Sequence, residues 1–128
     1  MTRDQFEQIA EELYNELPAM FTERIENVHI RVEDYPSEDV LRRVRAGKTS
    51  LLGLYQGIPL TKRDSWYGTS PTTPDTISLY QKNIEAGCRT EQELRGRIRE
   101  VLFHEIGHYF GMSESEIRNA MKNMMSSH

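Results

Sequence analysis

Cysteine is nearly absent from this chain. Cys88 stands alone, so no disulfide can close within it, which suits a reducing compartment. A basic surplus is missing too: Lys and Arg total 16 against 20 Asp and Glu, and the resulting net charge of −4 offers no electrostatic footprint for nucleic acid or an anionic membrane. No long apolar run occurs in the opening MTRDQFEQIAEELYNEL, which is acidic and amphipathic. Neither a signal peptide nor a membrane span is expected there, and a cytoplasmic location follows as the expectation. Internal repeats and low-complexity segments are also lacking. What remains is a polar mixture, 37% hydrophobic and 28% charged over 128 residues, sized for one domain (1–128) with a modest core.

Phe6, Ile9, Ala10, Leu13 and Leu17 recur at helical spacing and predict an amphipathic helix over 3–17, stopped by Pro18. The period then changes to two. Val28, Ile30 and Val32 alternate with His29, Arg31 and Glu33, which predicts a half-buried strand with His29 outward. Val40, Leu41 and Val44 indicate a short helix over 38–46 ending at Gly47. Leu51, Leu52, Leu54 and Tyr55 form a second strand candidate. Residues 76–81 form a third, with Ile77 and Leu79 on one face and Thr76, Ser78 and Tyr80 on the other. Between them, 61–74 reads as a long irregular loop containing Gly68, Pro71 and Pro74.

Leu94, Ile98, Val101, Leu102, Ile106 and Tyr109 predict a helix from Glu91 to the neighbourhood of Phe110, with Thr90 and Glu93 spaced as a capping box. Ser113 and Glu116 repeat that spacing before a last helix over 114–125, which should bury Ile117, Ala120, Met121 and Met124.

Packing does not explain one stretch of the long helix. His104-Glu105-Ile106-Gly107-His108, followed by Gly111 and Glu114, spells H-E-x-x-H-x-x-G-x-x-E and holds half of the chain's four histidines. Positions i and i+4 stand one turn apart on a helix face, so His104 and His108 can present two imidazole nitrogens to one zinc ion. Glu105 falls inside the apolar arc on a helical wheel. An uncompensated carboxylate there is costly, a divalent cation is a natural compensator, and the same carboxylate can take a proton from a water activated on the metal. A solvated face that merely happened to carry these residues would place Glu105 outward.

A catalytic zinc needs a third protein ligand. No Asp or Glu follows Glu116, which closes the arrangement that draws a glutamate from a further helix. Gly111 can adopt the left-handed conformation that turns the chain back and brings residue 114 to the metal. Glu114 is therefore preferred to Glu116, whose simpler role is to cap with Ser113, although a carboxylate at 114 also suits the first turn of a helix as a plain charge. Tyr35, Tyr55, Tyr67, Tyr80 and Arg63 could donate to an oxyanion, but packing or surface roles are preferred for each. Cys88, beside Gly87 in an expected loop, and the Met121, Met124 and Met125 group read as unremarkable.

With H-E-I-G-H-Y-F-G-M-S-E at 104–114, L-L-G-L-Y-Q-G-I-P-L-T-K-R at 51–63 and T-I-S-L-Y at 76–80, the chain resembles the minimal zincin-like metallopeptidase family over residues 4–120. Members are small, mostly bacterial proteins. The resemblance implies an α/β (α+β) minimal zincin-like fold: a small mixed sheet with an N-terminal helix, a metal-binding helix and a C-terminal helix. It also implies a zinc-dependent metallopeptidase with His104, His108 and Glu114 as metal ligands and Glu105 as general base. The expected substrate is an unidentified peptide or protein lying along an edge strand at 76–81. The competing expectation is a zinc-binding protein with little or no catalysis, whose groove serves a protein partner and whose fourth ligand is His128 or Cys88.

Overall fold

The computed structural model describes residues 1–25, 28–57 and 75–126, with no account of the Met20 side chain or of those at 124–126. The expected loop at 61–74, with Arg63 and Tyr67, lies outside the described residues, as do His128 and the side chains of Met124 and Met125.

Helix α1 (Arg3–Asn15) starts from Thr2, whose hydroxyl accepts the Gln5 N–H at 3.1 Å while the Gln5 side chain accepts the Thr2 N–H at 3.0 Å. It buries Phe6, Ile9, Ala10 and Leu13 as the period predicts, and Leu17 stays buried although the helix ends at Asn15. Pro18 opens a single turn, α2 (Ala19–Thr22), too short to leave a period in the sequence. Strand β1 (Val28–Glu33) follows with His29 exposed, then α3 (Glu38–Val44), capped by Ser37. Helix α3 ends at Arg45, in the left-handed conformation (φ 54°), two residues before the expected terminator Gly47.

Among the described residues, strands β2 (Gly53–Gln56) and β3 (Asp75–Tyr80) join β1 in a mixed three-stranded sheet of order β1-β3-β2, with β3 parallel to β1 and antiparallel to β2. The central position of β3 overturns the expectation that 76–81 is an edge strand open to a substrate. Both of its edges are paired, and Gln81 already begins the next helix, α4 (Gln81–Glu85). Ser78 and Tyr80 are buried along with Ile77 and Leu79, so both faces of β3 are covered.

Helices α5 (Glu91–Tyr109) and α6 (Glu114–Ser126) stand close to their predicted bounds. Thr90 accepts the Glu93 N–H at 3.1 Å, but the Glu93 carboxylate reaches the Arg89 N–H at 2.8 Å, so only half of the expected capping box forms. Helix α1 packs on β1 and α5, and α5 packs on β2 and β3. Phe6, Leu13, Ile77, Leu79, Ile98 and Leu102 close the core between these layers, each such side chain contributing about 1.5–3 kcal/mol by leaving water. Helix α6 lies on the C-terminal half of α5, burying Ile117 and partly burying Ala120 and Met121. Among the described residues, no helix is long and apolar enough to cross a membrane.

Candidate metal centre

The C-terminal half of α5 is enclosed by β2 on one side and α6 on another. Gly107 permits the second approach: a Cβ there would stand 2.5 Å from Ile117 Cγ1, well inside contact distance. Beyond Tyr109 the helix is closed by Gly111 at φ 77°, whose N–H donates to His108 O at 2.9 Å, while the Met112 N–H donates to Gly107 O at 3.0 Å. Ser113 restarts the chain as a helix through a complete capping box. Its hydroxyl accepts the Glu116 N–H at 3.1 Å and its own N–H donates to Glu116 Oε1 at 3.0 Å. The cap engages Glu116, and Glu114, in the first turn of α6, is carried back to α5.

The two imidazoles and the Glu114 carboxylate converge. His104 Nε2 lies 2.9 Å from Glu114 Oε2 and His108 Nε2 lies 3.2 Å from Glu114 Oε1, with the two rings nearly perpendicular and 4.7 Å apart. Glu105 approaches His104 from the opposite edge of the ring, its Oε2 2.8 Å from Nδ1. Its Oε1 accepts the main-chain N–H of Tyr55 at 2.8 Å. Glu105 is buried at 6% exposure, whereas the two histidines are half-buried, as the helical wheel predicts.

His104, Glu105 and His108 together offer ligand atoms within 4.8 Å of one another and could hold a metal ion. Both Nε2 atoms also face the Glu114 carboxylate, whereas Glu105 meets His104 through Nδ1.

The Glu105 carboxylate, and after it Glu114, pushes His104 up to about 9 against the opposing effect of burial, while the bond to His104 lowers Glu114. This pocket favours positive charge, and two imidazole nitrogens with a carboxylate are a donor set that a divalent ion fits.

A cleft of about 570 Å³ runs along these groups, bounded by Gly53, Leu54 and Tyr55 of β2 on one wall and by His104, His108 and Met112 on the other. Of the oxyanion candidates, Tyr55 lines it, but its phenol donates to the buried Asp75 carboxylate at 3.2 Å. Tyr35 is exposed beneath the Lys48 ammonium, and Tyr80 is wholly buried.

Cys88 is not brought to the cleft. Its thiol donates to Ile84 O at 3.4 Å beside the start of α5, roughly 20 Å along the helix axis from His104. Two participants escaped the sequence reading: Asp75, which bears no motif, and the Tyr55 N–H, a group that every residue except proline carries.

No protein of curated function matches the chain. A model of a family described as zincin-like metallopeptidase matches residues 25–123, a span that includes all three strands, the long helix and the turn to Glu114. With most of its length covered by that match and its paired histidines gathered at the end of one helix, the chain belongs to the zincin-like metallopeptidase family.

Proposed function

We propose that the protein is a zinc-dependent peptidase in which His104, His108 and Glu114 hold the metal and Glu105 is the general base. One observation carries this reading: both Nε2 atoms face a single carboxylate, at 2.9 and 3.2 Å, beside a buried Glu105 in an open cleft. Two imidazoles and one carboxylate would supply three protein ligands and so leave a position for a non-protein ligand, as catalytic rather than structural zinc requires. Bound there, zinc supplies Lewis acidity that eases deprotonation of water and polarises a carbonyl oxygen.

The chain's own groups do the rest. Glu105 accepts a proton from the attacking water as its oxygen bonds to the carbonyl carbon, then passes that proton to the amine nitrogen as the C–N bond breaks. Burial keeps bulk water from competing for this carboxylate. Strand β2, which among the described residues is an edge strand and borders the cleft, replaces 76–81 as the element along which an extended peptide pairs through its main chain. A cytoplasmic setting belongs to the same proposal.

Metal analysis with a peptide-library cleavage assay tests the reading. Glu105→Gln should retain one zinc and lose hydrolysis by about 10²–10⁴-fold. A zinc-loaded Glu105→Gln protein that cleaves as fast as wild type would rule the mechanism out.

A further inference from the structure

Antiparallel pairing alternates residues whose main-chain groups face the partner strand with residues whose groups face away. The Tyr80 N–H donates to Leu52 O at 3.0 Å, and Leu54 and Gln56 stand opposite Ser78 and Thr76. Leu52, Leu54 and Gln56 therefore turn their main-chain groups to β3, and Gly53 and Tyr55 turn theirs to the outer edge, toward the cleft. The outward N–H of Tyr55 donates at 2.8 Å to Oε1 of Glu105, a residue 50 positions later in the chain.

We propose that the main-chain N–H of Tyr55 is a positioning group for Glu105, fixing the base to the strand along which a peptide lies. The proposal rests on the reading of Glu105 as general base given above. A glutamate side chain has three rotatable bonds, and a base that wanders by an ångström loses much of its effect. Here both carboxylate oxygens are held, Oε1 by Tyr55 N–H and Oε2 by His104 Nδ1. Each oxygen keeps a further lone pair for a proton.

The bond is charge-assisted and part-buried, and the partial exclusion of water strengthens such a contact. A main-chain donor also suits the place: a side chain reaching across from the strand edge would occupy the cleft that the substrate needs.

Two measurements test this. In the metal-free protein the Tyr55 amide should be protected from hydrogen exchange, and Glu105→Ala should reduce that protection at least about tenfold. The amides of Leu54 and Gln56, which donate into β3, should keep theirs. Incorporating the hydroxy-acid analogue of tyrosine at position 55 replaces this one N–H by an ester oxygen. In the zinc-loaded protein it should lower kcat on a peptide about 10- to 100-fold, with KM and zinc stoichiometry nearly unchanged.

An unaltered Tyr55 amide in Glu105→Ala, or wild-type kcat in the ester protein, overturns the proposal. If the wild-type protein cleaves no peptide, the peptidase reading fails, and the exchange measurement still decides whether Tyr55 holds Glu105.

Discussion

Helices α1 and α5 lie side by side over the same sheet, yet they are built on different plans. Helix α1 buries one stripe, Phe6, Ile9, Ala10 and Leu13, and leaves Glu7, Glu11 and Glu12 exposed. Helix α5 begins in that manner with Leu94 and Ile98. From Val101 onward it is buried on nearly every side, through Leu102, Phe103, Glu105, Ile106, Gly107 and Tyr109. Only His104, His108 and the terminal Phe110 remain half-buried there.

The cause is how many elements each helix meets: α1 packs on β1 and α5, whereas α5 packs on α1, α4, α6, β2 and β3. A helix that meets its neighbours along one side needs one apolar stripe. One enclosed on several sides has little solvent-facing surface, so each polar residue on it must find a partner. Glu105 finds the Tyr55 N–H and His104, and the two histidines find Glu114. The proposed site sits where enclosure makes polar groups expensive and therefore well ordered.

That contrast predicts that changes in α1 act on stability and changes in late α5 act on chemistry. Phe6→Ala, removing a fully buried ring, should cost about 3–5 kcal/mol in denaturant unfolding while the folded fraction still binds zinc. Loss of zinc binding in folded Phe6→Ala protein would break the contrast. Zinc at a hundred times its dissociation constant should stabilise the wild type by about 2.7 kcal/mol, read as a rise in Tm. His104→Ala should lose most of that rise. An equal rise in both would mean that the ion binds elsewhere.

Gly107→Ala should cost about 1–3 kcal/mol, because the added methyl meets Ile117. It should also weaken zinc binding, since displacing α6 moves Glu114; calorimetric titration checks this. Thr90→Ala, at the other end of α5, removes the acceptor for the Glu93 N–H. It should cost about 1 kcal/mol and leave zinc affinity unchanged. A change in affinity there would show that the two ends of α5 are more tightly coupled than their separation suggests.

The sequence was most legible where structure is local. Helix α6 and most of α5 were readable from period and caps, because capping residues act within one turn. The inward placement of Glu105 followed from the wheel, and the turn at Gly111 from its chemistry. Legibility failed at short or isolated features. Helices α2 and α4 are too brief to show a period, and Arg45 takes a left-handed position that glycine usually fills. The third strand was found, but its place in the sheet was not, since alternation reports which faces are buried and not which edges are paired. Ser78 and Tyr80 sit on its second face and are buried all the same.

By itself, then, the sequence determined that two imidazoles share a helix face with an inward carboxylate to one side of them, because 3.6 residues per turn relates positions 104, 105 and 108 wherever that helix lies. Only the tertiary structure decided which strand borders the cleft, that Glu114 faces both Nε2 atoms while Glu116 caps, and that the Tyr55 N–H meets Glu105. Those outcomes depend on strand order and on how α6 folds back over Gly107, contacts between distant parts of the chain that no local spacing encodes.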